Sequence, residues 1–384
     1  MNLERDRLPP ILAVTHLFPA TDREHRGPWV VEQVDALATT TDISVLCCSH
    51  TASNRTEVRP SGVHVTFRST RTIFGGGRVG LLASSVRYDR ALAWHLRANP
   101  SIGLLHAHFG LPDAILVQRQ AARAGLPFVV TLHGDDAFKL LPRRDWIGGA
   151  VRRAVSSASA VICVSNAMAR AVSSTVDVDP IVIPNGYDDA LFKRSELERD
   201  LGLLFVGNLV PTKNVPMLLR SYARVRSEVG LPLTIAGDGP LRTSLAASAA
   251  SLGLADSVRF LGVQDRRQVR DLMARANALV LPSLSEGWGV VVAEALASGT
   301  PVVASRVGGV PEILASDDGG ILVPPADEGA LAAALVEIAS RRPDPAVVEA
   351  ASRAQPWSVQ ANHIAAVYRR VLSGPRPSAG ARRT

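Results

Sequence analysis

"ALVLPSLSEGWGVVVAEALASGTPVVAS", residues 278–305, reads as a β-branched run, a turn broken by Gly287 and Gly289, an apolar helix and, past Gly299 and Pro301, a second β-branched run. A strand, a helix and a strand in that order form the unit from which parallel sheets are wound. One residue does not fit on hydrophobicity. Glu294 stands among Val290, Val291, Val292, Ala293, Ala295, Leu296 and Ala297, so the helix that carries it is apolar on nearly every side and buried. A bare carboxylate in such packing is costly, and something must satisfy it. Eight residues upstream, in Ser285-Glu286-Gly287-Trp288-Gly289, lies a second glutamate.

The same alternation fills the chain. Strand candidates occupy residues 11–16, 42–49, 63–67, 104–108, 127–133 and 160–165, and a second set occupies 202–207, 231–237, 258–262, 278–282, 301–305 and 320–323. Helical periodicity lies between them, which predicts parallel sheets covered on both faces. "IPNGYDDALFKRSELERDLG" separates the two sets; it is polar and charged, with a Pro-Asn-Gly turn, and reads as a linker near residues 186–200. At 384 residues the chain exceeds what one core usually organises. The expected architecture is α/β: two tandem Rossmann-like, doubly wound domains, 1–190 and 200–350, with a helix over 357–372 returning to the first. The tail "GPRPSAGARRT", residues 374–384, has the composition of a disordered basic end. Doubly wound sheets bind ligands beyond the carboxyl ends of their strands, which places the expected site in a cleft between the domains.

Composition narrows the class. Apolar residues make up 47% and charged residues 20%, and no run approaches eighteen uninterrupted apolar residues. "MNLERDRLPPILAV" lacks the basic-then-apolar order of a signal peptide. Cys47, Cys48 and Cys163 all lie in strand-like runs without framework spacing and read as reduced core thiols, so the expected location is the cytoplasm. The net charge of +7 suits anionic substrates, an anionic membrane face or nucleic acid. No zinc-finger, aromatic-basic or zipper pattern accompanies it, which argues against nucleic acid.

The loops at the carboxyl ends of the second set carry the chemistry. "GNLVPTKN" supplies Gly207, Asn208 and Lys213, the last a point charge for a phosphate. "AGDGPLR" supplies a turn through Gly237 and Gly239, and "RVGGVPE" is again rich in glycine before a short helix. Helix N-termini offer unpaired N–H groups and partial positive charge, so several on one cleft make an anion site that needs no metal. A diphosphate suits it. With a helix beginning near Gly289, Glu294 lies about 7 Å inside along the axis, while Glu286 stays on the loop side. A ribose diol would satisfy Glu294 and the hydroxyls of a transferable sugar Glu286. The plainer alternative, a carboxylate bonded to a neighbouring loop and a solvated turn residue, is disfavoured by Gly287, Gly289, Gly299 and Pro301 around the pair.

These segments resemble the group 1 glycosyltransferases of GT-B type, retaining enzymes dependent on nucleotide sugars, whose signature is E-x7-E. The resemblance runs from about residue 11 to residue 372. It includes "THLFPATDREHRGPWVVEQVDALA", "HAHFG", "TLHGDD", "IPNGYD" followed by Phe192, "FVGNLVPTKN", "AGDGPLR" and "VGGVPEIL". It implies that Glu286 contacts donor-sugar hydroxyls, Glu294 the ribose and Lys213 the diphosphate, with the amides around Gly287, Trp288 and Gly289 meeting sugar and phosphate. His133 matches the family histidine beside the reacting anomeric centre, so His133 and Glu286 are the expected catalytic pair. Gly27 and Asp135 fall on the acceptor or cleft loops. The chain departs from the pattern at Asn208, where many relatives have arginine, leaving Lys213, with Arg306, to neutralise the leaving group. The implied reaction moves a hexosyl unit from a nucleoside-diphosphate sugar to a hydroxyl of a carbohydrate or lipid-linked acceptor, in cell-surface polysaccharide or glycolipid synthesis, with no cofactor or metal. A non-catalytic GT-B protein that binds sugar nucleotides is the alternative. The base, the sugar and the acceptor are not encoded legibly.

Three other signals compete with this reading. "GGGRVG", residues 75–80, has the glycine spacing of a dinucleotide fingerprint, but the preceding "RSTRTIF" is a poor buried strand and no β-α-β unit with a ribose-binding acid surrounds it, so it reads as a flexible loop. His106 and His108 share one strand face and read as a polar pair, too few for a metal. Residues 78–97 set Arg78, Arg87, Arg90 and Arg97 among Leu81, Leu82, Val86, Leu92, Trp94 and Leu96, either a domain helix packed on its sheet or an interfacial helix for the anionic inner face of a membrane.

Overall fold

A computed structural model of the chain describes residues 8–19, 27–49, 54–70, 77–195 and 197–374, with the side chains of 77–84 outside the description. It divides into two α/β units. The first runs to Asn185 and resumes at Trp357; the second spans Gly186–Pro356. Residues 186–200 therefore belong to the second unit, and residues 375–384 of the expected tail lie outside the described residues.

The first unit's sheet is built from β1 (Ile11–Thr15), β2 (Ile43–Ser49), β3 (Arg55–Val58), β4 (His64–Ser69), β5 (Leu104–His108), β6 (Phe128–Leu132), β7 (Ala160–Cys163) and β8 (Ile181–Val182). Their order is β3-β4-β2-β1-β5-β6-β7-β8, parallel except where β3 meets β4. Residue Ile11 pairs with Ile43 on one side and Leu104 on the other. Every residue of β1, β5 and β6 is buried, because helices cover both faces. The helix Trp357–Ser373 joins this core through Ala361, Ile364, Ala365, Val367 and Tyr368. Cys47, Cys48 and Cys163 are buried free thiols.

The second sheet contains β9 (Gly202–Val206), β10 (Leu233–Ala236), β11 (Val258–Gly262), β12 (Ala276–Leu281), β13 (Val302–Ser305) and β14 (Gly320–Val323), all parallel, in the order β11-β10-β9-β12-β13-β14. In both sheets the winding reverses beside the first strand: between β1 and β5, and between β9 and β12. Loops that leave strands on either side of such a reversal run in opposite directions, and doubly wound sheets take ligands beside them.

Two strands were not expected from the sequence, β3 and β8. Both are edges: β3 alternates half-buried and exposed residues, and β8 is two residues long, so neither has the buried β-branched run of an interior strand. The loop expected at residues 75–80 is also corrected. Residues 77–80 open the helix Gly77–Ala98, while 75 and 76 lie outside the described residues. Glycines in a first turn cost less than in a helix interior, and the pattern beyond carries the helix. That helix buries Tyr88 and Leu92 and exposes Val86 and Trp94 at 49% and 50%; Arg78, Leu81 and Leu82 are among the side chains outside the description. No helix among the described residues is long and apolar enough to cross a membrane.

Candidate active site

In the second unit, β9 and β12 deliver the two halves of one cluster. The chain leaves β9 through Gly207 and exposed Asn208 into the turn Pro211–Lys213. It leaves β12 through Ser283 to Glu286. Lys213 Nζ lies 2.5 Å from Glu286 Oε1, and Ser283 Oγ donates to the same oxygen at 2.6 Å. The backbone at this point is packed too closely for side chains. Gly308 has φ +52°, and a Cβ there would sit 1.7 Å from the Glu286 carbonyl oxygen; at Gly237 a Cβ would sit 1.9 Å from the Gly207 oxygen. Gly309 N donates to Gly287 O at 3.2 Å, and Gly239 N donates to Asp238 Oδ1 at 2.6 Å.

Gly289, at φ +98°, precedes the helix Val290–Ala297. Trp288 is buried beside it, and its Nε1 has no hydrogen-bond partner among the described residues. Glu294 is 3% exposed, as its apolar neighbours dictate. The group that meets it is Arg266, whose Nη1 lies 2.6 Å from Oε1 and whose guanidinium stands 4.7 Å from the centre of the Phe192 ring. Burial pushes the Glu294 carboxyl above its usual range, Arg266 opposes that shift, and Asp188 adds to it.

The first unit gathers its polar groups at its own reversal point. The last residue of β5 and the first residue after β6 bring His108 Nδ1 and His133 Nε2 to 3.3 Å, with His106 stacked on His108 at 4.3 Å between ring centres. His106 is occupied by Tyr368 Oη at 2.6 Å and Thr131 Oγ1 at 2.7 Å. Burial holds His106 and His133 well below the ordinary histidine value and His108 down to about 3, so all three are neutral near pH 7. His133 Nδ1 is buried without a partner among the described residues. Asp136 accepts from Gly110 N at 2.8 Å and His133 N at 3.2 Å. Asp135 turns the other way: its side chain is 70% exposed and pairs with Lys139. Gly27 precedes the helix Pro28–Leu37 at φ +68°.

Beside them lies a group the sequence reading missed. His16 follows β1, and its Nδ1 lies 2.8 Å from Asp113 Oδ2; Tyr88 Oη donates to Asp113 Oδ1 at 2.5 Å. Asp113 is fully buried. Burial lowers the His16 pKa and the Asp113 carboxylate more than offsets it, leaving the imidazole above its ordinary value. Phe109, at the left-handed φ of +83°, is wedged between His16 and His133, 5.0 and 4.7 Å away by ring centres. The available signal was a polar residue directly after a strand at a reversal point. For Arg266 no signal of spacing existed, since its partner is 28 residues away on another element.

Two doubly wound units, each with polar side chains collected where its strand order reverses, define the class: a GT-B fold. Known proteins agree. The family description "Glycosyl transferases group 1" matches residues 188–355 and "Glycosyltransferase Family 4" matches 29–191. The chain is 30% identical over 325 residues to a glycogen synthase of Mycobacterium tuberculosis, covering 78% of this chain and 74% of that one. It is 29% identical over 252 residues to an N-acetyl-alpha-D-glucosaminyl L-malate synthase of Bacillus anthracis, covering 61% of this chain and 65% of that protein, less than two thirds of its length. Among solved structures, sucrose-phosphate synthase from Thermosynechococcus elongatus superposes with a TM-score of 0.80 at 21% identity, covering 95% of this chain and 99% of that one. HepE of Anabaena, solved in complex with UDP and glucose, gives 0.71 at 20% identity, covering 94% and 100%. The chain belongs to the group 1 glycosyltransferase family.

Proposed function

We propose that this chain transfers a hexosyl unit from a nucleoside-diphosphate sugar to an acceptor hydroxyl, with retention at the anomeric carbon. The observation that carries the reading is the pair of carboxylates at the second unit's reversal point: Glu286 on the loop, bonded by Lys213 and Ser283, and Glu294 inside the helix eight residues on. In this reading the ribose diol donates to Glu294 and the sugar hydroxyls to Glu286. The diphosphate lies at the N-terminus of Val290–Ala297, where unpaired N–H groups and the helix dipole favour an anion. Lys213 has three N–H donors and serves Glu286 and a phosphate oxygen together. As the bond to the β-phosphate breaks, charge builds on an oxygen already facing those donors. Attack from the face the phosphate leaves, with a phosphate oxygen taking the acceptor's proton, retains configuration without a protein nucleophile. His133, kept neutral by burial, offers a hydrogen bond rather than a charge beside the reacting carbon.

The donor class is supported by HepE, solved with UDP and glucose. A carbohydrate or lipid-linked acceptor is assigned to the first unit. Exposed Val86 and Trp94, with exposed Arg90 and Arg97 on the same helix, suit contact with an anionic membrane surface. Thermal-shift measurements with UDP-, GDP- and ADP-sugars test the reading. A ligand at a hundred times its Kd stabilises the folded state by about 2.7 kcal/mol, so one nucleotide class should raise Tm and Glu294→Ala should abolish the rise. Equal melting of parent and variant with all three would defeat the ribose assignment, and retained donor binding without transfer or hydrolysis would leave a binding protein.

A further inference from the structure

A carboxylate that is 3% exposed remains ionised only if a cation or several donors reach it. For Glu294 that cation is Arg266, at 2.6 Å, and three constraints hold it in place. It opens the helix Arg266–Arg275. That helix is fixed by a reciprocal cap, in which Asp265 Oδ1 accepts from Gln268 N and Gln268 Oε1 from Asp265 N, both at 2.8 Å. The Phe192 ring lies under its guanidinium at 4.7 Å. Its Nη1 bonds one oxygen of Glu294, and an ionised carboxylate has about four lone-pair sites, so acceptor capacity remains for a diol.

We propose that Arg266 is the positioning residue of the nucleotide site: it keeps Glu294 ionised and aimed, so that a ribose meets a carboxylate and not a carboxylic acid. This rests on the reading of Glu294 as the ribose acceptor. The other charged groups around its helix do not supply that charge. Asp188 repels it. On the helix Arg266–Arg275, Arg270 pairs with Asp271, Arg275 with Asp200, and Arg267 is exposed. Glu349, on the helix Pro345–Ala350, pairs with Arg194 at the surface, and Glu312, on Val310–Ile313, is itself an acid. With the guanidinium gone, burial and Asp188 both favour the protonated acid, and the pH dependence of nucleotide binding moves to higher pH than in the wild type.

The test measures the Kd of UDP, GDP and ADP by calorimetry from pH 5.5 to 9 for wild type, Arg266→Lys, Arg266→Met and Glu294→Gln. Wild type and Arg266→Lys should give matching profiles, flat from neutral pH upwards, for whichever nucleotide binds. Arg266→Met should weaken by about tenfold per pH unit below its raised carboxyl pKa and converge on the wild type towards pH 9. Glu294→Gln should be weak and flat. Should Arg266→Met not fold, Arg266→Gln, which keeps a donor but no charge, carries the same expectation. A variant profile identical to the wild type overturns the proposal. So does tighter binding, which would make Arg266 a competitor of the ribose, or an equal loss at every pH, which would make it a direct ligand contact. No binding by the wild type defeats the donor-site reading itself and this inference with it.

Discussion

Asp136 holds its proton into a range where an ordinary aspartate has lost it: burial outweighs the hydrogen bonds from Gly110 and His133 and pushes its carboxyl up to about 6 from 3.8. The folded state thus binds a proton more readily than the unfolded chain. The stability this adds is full below about pH 4 and lost as pH rises through about 6, in total roughly 3 kcal/mol. The stability difference between wild type and Asp136→Asn should therefore fall by about 2 kcal/mol from pH 4.5 to 7.5 in urea unfolding; a constant difference would mean the carboxyl is ionised throughout. At this scale the sequence was half legible. Glu286, Glu294 and Lys213 stand out because charged residues interrupt apolar or glycine-rich stretches at strand ends. Asp135 and Asp136 are adjacent and alike in sequence, and only the turn of the chain after β6 decides that Asp136 faces inward. Arg266 and His16 find their partners across elements, which no periodicity records.

Twelve of the fourteen strands among the described residues announce themselves: ten lie inside the sheets, where burial on both faces favours apolar, β-branched runs, and the edge strands β11 and β14 keep short apolar runs although only partly buried. The turns between them are written in glycine, yet which glycine is indispensable depends on what lies opposite. Gly308 and Gly253 have similar φ values, +52° and +68°. A Cβ at Gly253 meets nothing within 4 Å, whereas at Gly308 it falls on the Glu286 carbonyl. Gly253→Ala should cost about 1 kcal/mol from backbone strain alone. Gly308→Ala must also displace the loop that holds Glu286, and should cost more than about 2 kcal/mol and abolish the nucleotide-induced rise in Tm. Equal melting temperatures and intact nucleotide response in both variants would show that the loop relaxes freely.

The repetition of alternating strands and helices was enough to expect two units, but not how unequally the chain is shared between them. The second unit is one continuous segment, while the first is completed only by the last 17-residue helix. Ile364, Val367 and Tyr368 are buried against the first core, Trp357 Nε1 donates to Glu32 at 2.9 Å, and Tyr368 Oη closes on His106. Burying each such large apolar side chain contributes about 1.5–3 kcal/mol, so removing the helix subtracts an amount comparable to the whole stability of a domain. A chain ending at Pro356 should leave the first unit unfolded or aggregated, whereas residues 186–356 alone should fold and keep the nucleotide response. Tyr368→Phe separates packing from hydrogen bonding: it keeps the ring, leaves His106 Nδ1 without its partner and should cost about 1–3 kcal/mol. Cooperative melting of the truncated first unit near the full-length value would show that the helix is a cover and not part of the core.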